Sequence, residues 1–156
     1  MKSKFTWDED WFGCYNTRRR VSPCAESSKH PARMSEKLVV KIIKYLKNMG
    51  EIESDSIVLD PFTGVGTTNI VCSLNGIPSY GIELEETYAD IAAKNLEGLG
   101  GRYRVLCGDE FIVCGDSSVI LNDNDEFARH FFMEDFLFDA VITSPPYMKQ
   151  IRATGK

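Results

Sequence analysis

The chain has little that would tie it to a metal, a disulfide framework or a membrane. Only two histidines occur in 156 residues, and the five cysteines (Cys14, Cys24, Cys72, Cys107 and Cys114) form no C-x-x-C pair. An odd number of scattered cysteines fits reduced thiols better than disulfides or a zinc site. His130 reads as a structural histidine, and no metal is expected. No apolar run approaches the length of a membrane span, and the start, Met1-Lys-Ser-Lys-Phe-Thr-Trp-Asp8, has no signal-peptide core. A cytoplasmic protein that makes no membrane contact is expected. Positive charge is also short, with 18 Lys and Arg against 23 Asp and Glu, a net charge of -5 at pH 7. Duplex nucleic acids are bound through Lys and Arg, so this balance is unfavourable for them unless the charge is unevenly spread. It is uneven: Arg18, Arg19, Arg20, Lys29 and Arg33 crowd the first part, and acids crowd Asp109 to Asp139. The arginine run reads either as a weak phosphate contact or as a solvated charged face. What is present is an ordinary globular composition, 43% apolar and 26% charged, enough for about one domain with a core.

The chain is organised around Asp60-Pro-Phe-Thr-Gly-Val-Gly-Thr-Thr68. Ser56-Ile-Val-Leu-Asp60 before it is an apolar run ending in an acid, and Asn69-Ile-Val-Cys-Ser-Leu74 after it ends at Asn75-Gly76. The pattern predicts a strand, a glycine turn, a short helix and a stop. Gly64 and Gly66 let a ligand approach the backbone and make positive φ cheap. Thr67 and Thr68 open the helix, whose first N–H groups point over the turn. No third glycine follows and no G-K-[ST] occurs, which leaves out the dinucleotide fingerprint and the P-loop. Taken alone, the stretch could be a tight turn without a ligand. A strand that feeds a glycine turn at a helix start is nevertheless how doubly wound parallel sheets hold nucleotide-like ligands.

Around this centre the chain alternates strand and helix, which predicts an α/β fold with a Rossmann-like, doubly wound, mostly parallel sheet. Residues 1–28 read as an irregular N-terminal extension and residues 29–156 as the domain. Ser35 is a candidate N-cap, with Met34 and Val39 spaced for a hydrophobic staple. Leu38, Val39, Ile42, Ile43 and Leu46 then recur at helical spacing until Gly50. Ile77 to Leu84 reads as a second strand, and it carries Glu83 near its end, placed to accept bonds from ribose hydroxyls. Glu85 to Leu96 reads as a helix with Tyr88, Ile91, Ala92 and Leu96 on one face. Two later stretches both read as a strand ending in Gly-Asp, at Asp109 and at Asp116. Asp116 is favoured because Gly-Asp-Ser-Ser there continues into a helix start. A short helix fits Glu126 to Met133, and a fourth strand, Phe138 to Thr143, leads into Ser144-Pro-Pro-Tyr147.

The long cofactor-type turn, Gly81-Ile-Glu-Leu84 and Thr143-Ser-Pro-Pro-Tyr147, in this order, resemble the S-adenosylmethionine-dependent DNA amino-methyltransferases. The resemblance spans about Lys29 to Tyr147. It implies the class I methyltransferase fold, S-adenosylmethionine as cofactor and DNA as substrate. It implies cofactor contacts from His30, Pro31, Asp60, Pro61, Phe62, Gly64, Gly66, Thr67, Thr68, Glu83, Leu84 and Asp116, with Asp109 left open as the alternative to Asp116 beside the adenine. It makes Ser144, Pro145, Pro146 and Tyr147 the catalytic motif, and a serine in first place points toward cytosine N4 rather than an adenine amine. In that chemistry the Ser144 side chain and the Pro145 carbonyl accept protons of an exocyclic amine, the prolines stiffen the loop, and Tyr147 offers a face to an extruded base. The motif order is a permuted one, and the chain stops soon after Tyr147. The sheet is therefore expected to be incomplete, with a second polypeptide or a homo-oligomer completing it. A truncated gene and an inactive remnant stay open beside this. Two alternatives also stay open for function: a tRNA guanine-amine methyltransferase and a non-catalytic cofactor-binding subunit.

Overall fold

The computed structural model describes residues 11, 13–14, 22–30, 33–97, 99, 111–114 (backbone only) and 137–144. Among the described residues four strands form one parallel sheet: β1 (Val58–Asp60), β2 (Ser79–Glu83), β3 (Phe111–Cys114) and β4 (Ala140–Val141). Their order across the sheet is β3-β2-β1-β4. Three helices stand between the strands or before them: α1 (Glu36–Met49), α2 (Thr67–Leu74) and α3 (Glu86–Glu97), preceded by a 3-10 turn at Ala25–Lys29. Each of these strands falls inside a stretch that the spacing predicts, shortened by one or two residues at an end, and α3 is shifted by one residue to Glu86–Glu97.

The apolar stripe of α1 accounts for one side of the core. Val39 and Ile43 from α1 meet Val71 and Cys72 from α2, Val58 from β1, and Ile52, Ile77 and Ile142. On the other side of the strands Leu59 and Ile82 pack with Tyr80 and Phe138, whose rings meet edge to face at 5.8 Å. α1 packs against α2 and α2 against α3, so the three helices follow one another in a layer. Gly50 ends α1 in the left-handed conformation, φ 74°, and its N–H closes on the Leu46 and Lys47 carbonyls.

One local expectation is corrected. Ser35 stands at the N-cap of α1, but its hydroxyl makes no capping bond to the helix. It donates to the Cys14 carbonyl and so ties the N-terminal stretch to the helix start. The buried residue Cys14 has a carbonyl that needs a donor, and the Ser35 hydroxyl hydrogen supplies it.

Sheet order decides where a site can form. β1, β2 and β3 run outward in sequence, and then β4 returns to the other side of β1. The ends of β1 and β4 are therefore neighbours, joined by the Thr143 hydroxyl on Asp60. The strand order thus reverses between β1 and β4, and in such sheets ligands bind at the carboxyl edge beside the reversal.

Candidate cofactor site at the β1–β4 switch point

The turn after β1 is pinned residue by residue. Asp60 is 3% exposed. Its Oδ1 accepts the Phe62 N–H at 3.1 Å and the Thr143 hydroxyl at 2.7 Å, and its Oδ2 accepts the Thr68 hydroxyl at 2.6 Å. The Thr63 N–H reaches the Ile82 carbonyl of β2, and its hydroxyl donates to Asn69, which in turn donates to Ser79. Glu83 accepts the Gly64 N–H at 2.8 Å with Oε2 and the Glu85 N–H at 3.0 Å with Oε1. The Val65 carbonyl accepts from Asn95 of α3 at 2.8 Å. The Gly66 N–H closes the turn on the Thr63 carbonyl.

Both glycines of the turn are required by conformation and by space. Gly64 has φ 56°, and a Cβ there would lie 3.3 Å from His30 Cε1 and Nε2. Gly66 has φ 80°, and a Cβ there would lie 3.1 Å from Ala92 Cβ. The first glycine lets the His30 ring rest on the turn, and the second lets α3 pack against it. The His30 ring also meets Tyr88 edge to face at 4.4 Å.

The electrostatics centre on Asp60. Burial pushes its carboxyl above the ordinary aspartate value, against the lowering effect of bonds from Thr68, Thr143 and the Phe62 N–H; the nearby Glu83 charge adds to the rise. Glu83 is half-buried, with its carboxylate at the carboxyl end of β2. Two apolar side chains are left open at these strand ends, Phe62 at 44% and Leu84 at 64% exposure. A carboxylate, a helix start and open apolar surface around a glycine turn suit a ligand with a sugar diol and a flat ring.

The sequence-predicted residues are thus brought together in part. His30, Phe62, Gly64, Gly66, Glu83 and Leu84 gather about the turn, while Asp60, Thr67 and Thr68 lie buried beneath it. Pro61 follows β1 as part of the turn. Ser144 leaves β4 next to Thr143, whose hydroxyl reaches back to Asp60. β3 ends just before Gly115, in front of Asp116, the second of the two Gly-Asp alternatives. Pro31, Arg18, Arg19, Arg20, Asp109, Asp116, Pro145, Pro146, Tyr147 and the Glu126 to Met133 segment lie outside the described residues. Two residues were not expected at the site: Asn95 and Thr143. Asn95 carried a readable signal, since it is an amide standing in the apolar stripe of α3 between Ala92 and Leu96. Among the described residues no group of His, Cys, Asp and Glu could hold a metal ion. No described helix is long and apolar enough to cross a membrane.

Sheet order and glycine turn together define a Rossmann-like α/β protein. A candidate RNA methyltransferase from Pyrococcus horikoshii shares the fold, with a TM-score of 0.51 at 20% identity over 73% of this chain and 47% of that one. The N6/N4 DNA methylase family matches residues 2–94, more than half of the chain, and the chain belongs to that family. It is 39% identical over 72 residues to the type II methyltransferase M.ScaI of Streptomyces caespitosus, covering 46% of this chain and 22% of that protein. It is 37% identical over 73 residues to the type II methyltransferase M.BglII of Bacillus subtilis, covering 47% of this chain and 19% of that protein. The matched stretch thus spans about a fifth of these relatives' length. The family uses S-adenosylmethionine as methyl donor, and the residues around the turn fit it.

Proposed function

We propose that this chain is the S-adenosylmethionine-binding part of a DNA methyltransferase that methylates an exocyclic base amine, with cytosine N4 as the target. The observation that carries the reading is the pairing of β4 beside β1, which brings Ser144 to the strand end next to the glycine turn. Glu83 would accept the ribose hydroxyls, Phe62 and Leu84 would flank the adenine, and Gly64 would admit the ligand to the backbone beside His30. The cofactor supplies an electrophilic methyl group. Ser144 and the carbonyl that follows it would accept the amine protons and turn the nitrogen lone pair toward that methyl. The ammonium product then releases its proton to water. The work is done on DNA in the cytoplasm, with Arg18, Arg19 and Arg20 meeting phosphates and a second polypeptide or second copy contributing the rest of the DNA surface.

Calorimetry with S-adenosylhomocysteine tests the cofactor half of the reading. Glu83→Ala should weaken binding by about 1.5–3 kcal/mol at most, the worth of a charge-assisted bond. Unchanged affinity would remove Glu83 from the site, and no binding by the parent chain would overturn the assignment. Labelled methyl transfer to DNA and to tRNA, with and without the products of adjoining genes, tests the substrate. Transfer to tRNA alone would replace DNA as the substrate.

A further inference from the structure

Segment 24–30 reaches the glycine turn through one residue of α3 that no motif includes. Asn95 has no solvent exposure. Its Oδ1 accepts the Cys24 N–H at 2.9 Å and the Ser27 hydroxyl at 3.2 Å. Its Nδ2 donates to Ser27 Oγ at 2.8 Å and to the Val65 carbonyl at 2.8 Å. The carboxamide therefore joins three separated parts of the chain: the 3-10 turn, α3 and the carbonyl between Gly64 and Gly66. An amide is the one uncharged side chain that offers two donors and two acceptors from a single planar group. His30 follows the 3-10 turn directly, and its ring stands over Gly64 and against Tyr88, which lies two turns before Asn95 on the same helix.

We infer that Asn95 is a positioning residue: it clamps segment 24–30 onto the glycine turn and thereby sets the His30 ring over Gly64, at the place where the ligand meets the turn. The part of this concerning ligand affinity rests on the cofactor reading above; the part concerning His30 does not. A leucine or alanine at 95 would fill or empty the core position without the clamp, and would leave the Cys24 N–H and the Val65 carbonyl without their partner. The segment could then slide on α3 and carry His30 with it.

The test uses the full chain and two readouts. The first is the imidazole resonances of His30 in the ligand-free protein, which feel the Tyr88 ring, with His130 as the second histidine for reference. Asn95→Ala should move the His30 resonances toward those of an unpacked imidazole. Val39→Ala, a core deletion in α1, should lower the melting temperature without moving them. The second readout is affinity for S-adenosylhomocysteine. Asn95→Ala should weaken it about tenfold, His30→Ala by a similar factor, and the double variant by no more than either, because residues acting through one contact do not add. Should Asn95→Ala not fold, Ser27→Ala removes part of the clamp from the other side and should move His30 in the same direction.

Unmoved His30 resonances in Asn95→Ala, or in Ser27→Ala where that variant stands in, would reduce Asn95 to a core amide and overturn the inference. So would fold-changes that multiply in the double variant. A parent chain that fails to bind S-adenosylhomocysteine would sink the cofactor reading, and the His30 resonances would still decide the role of Asn95.

Discussion

Asp60 shows how a single buried carboxylate can organise a turn. It stands where β1 ends, and each of its bonds goes to a different part of the chain: the turn through Phe62, α2 through Thr68 and the β4 exit through Thr143. Its folded value lies above the ordinary 3.8 because burial outweighs those bonds. A carboxyl raised in the folded state stabilises the fold below its unfolded value and loses that contribution as pH rises through the folded value. Ionising Asp60 within the fold therefore weighs against folding. Asp60→Asn keeps the shape and the Oδ1 acceptor for Phe62 and Thr143, and the Thr68 hydroxyl can turn to accept from the amide nitrogen in place of Oδ2. The melting temperature of Asp60→Asn relative to the parent is expected to climb as pH rises from below 3.8 toward neutral. Thermal scans across that range would check it. A parent that gains on the variant with rising pH would mean that the three hydrogen bonds outweigh burial.

At the scale of elements, a comparison of two left-handed glycines, Gly50 and Gly66, separates conformation from packing. Gly50 has φ 74° with nothing near a would-be Cβ, and Gly66 has φ 80° with Ala92 at 3.1 Å. Gly50→Ala should cost about 1 kcal/mol from the left-handed backbone alone. Gly66→Ala should cost about 2–4 kcal/mol, because α3 must also back away from the turn. Denaturant unfolding of both variants would measure the gap, and equal losses would show that α3 yields freely. These elements are legible in the sequence because their signals are local. The 3.6-residue stripe of α1, Gly50 as its stop and the acid-glycine turn all lie within a few neighbours of one another. The ties between elements are not local. Asn95 meets a backbone carbonyl 30 residues away, and Thr143 meets Asp60 across 83 residues. A carbonyl partner leaves no mark on residue type, and a threonine before Ser144 reads simply as a strand residue. Ser35 shows the converse: its position as a cap is legible, yet its hydroxyl is drawn away by a carbonyl 21 residues back.

Across the whole molecule, the reading depends on how firmly β4 is held to β1, because that pairing brings Ser144 to the turn. The register holds only two residue pairs, Val58 with Ala140 and Leu59 with Val141. Val141 is 59% exposed, so apolar burial adds little at that position. Backbone bonds run from Asp139 N–H to the Ile57 carbonyl at 3.0 Å and from Ile142 N–H to the Leu59 carbonyl at 2.9 Å. Beyond these, Asp139 Oδ2 accepts the Ile57 N–H at 2.7 Å, so one aspartate closes a ring with Ile57 through both its backbone and its side chain. Asp139→Ala leaves the Ile57 amide without that acceptor at an exposed edge. The loss should be about 1 kcal/mol, the worth of one solvent-accessible charge-assisted bond. It should fall on β4 and not on the core around Val39, Ile43 and Val71, which β4 enters only through Ile142 and the flanking Ala140. Native-state hydrogen exchange should therefore show faster exchange at the Ile57 and Ile142 amides in Asp139→Ala, with the α1 and α2 amides unchanged. Uniformly faster exchange in all of them would mean that β4 unfolds only with the rest of the sheet, and that the Asp139 clamp is part of global stability.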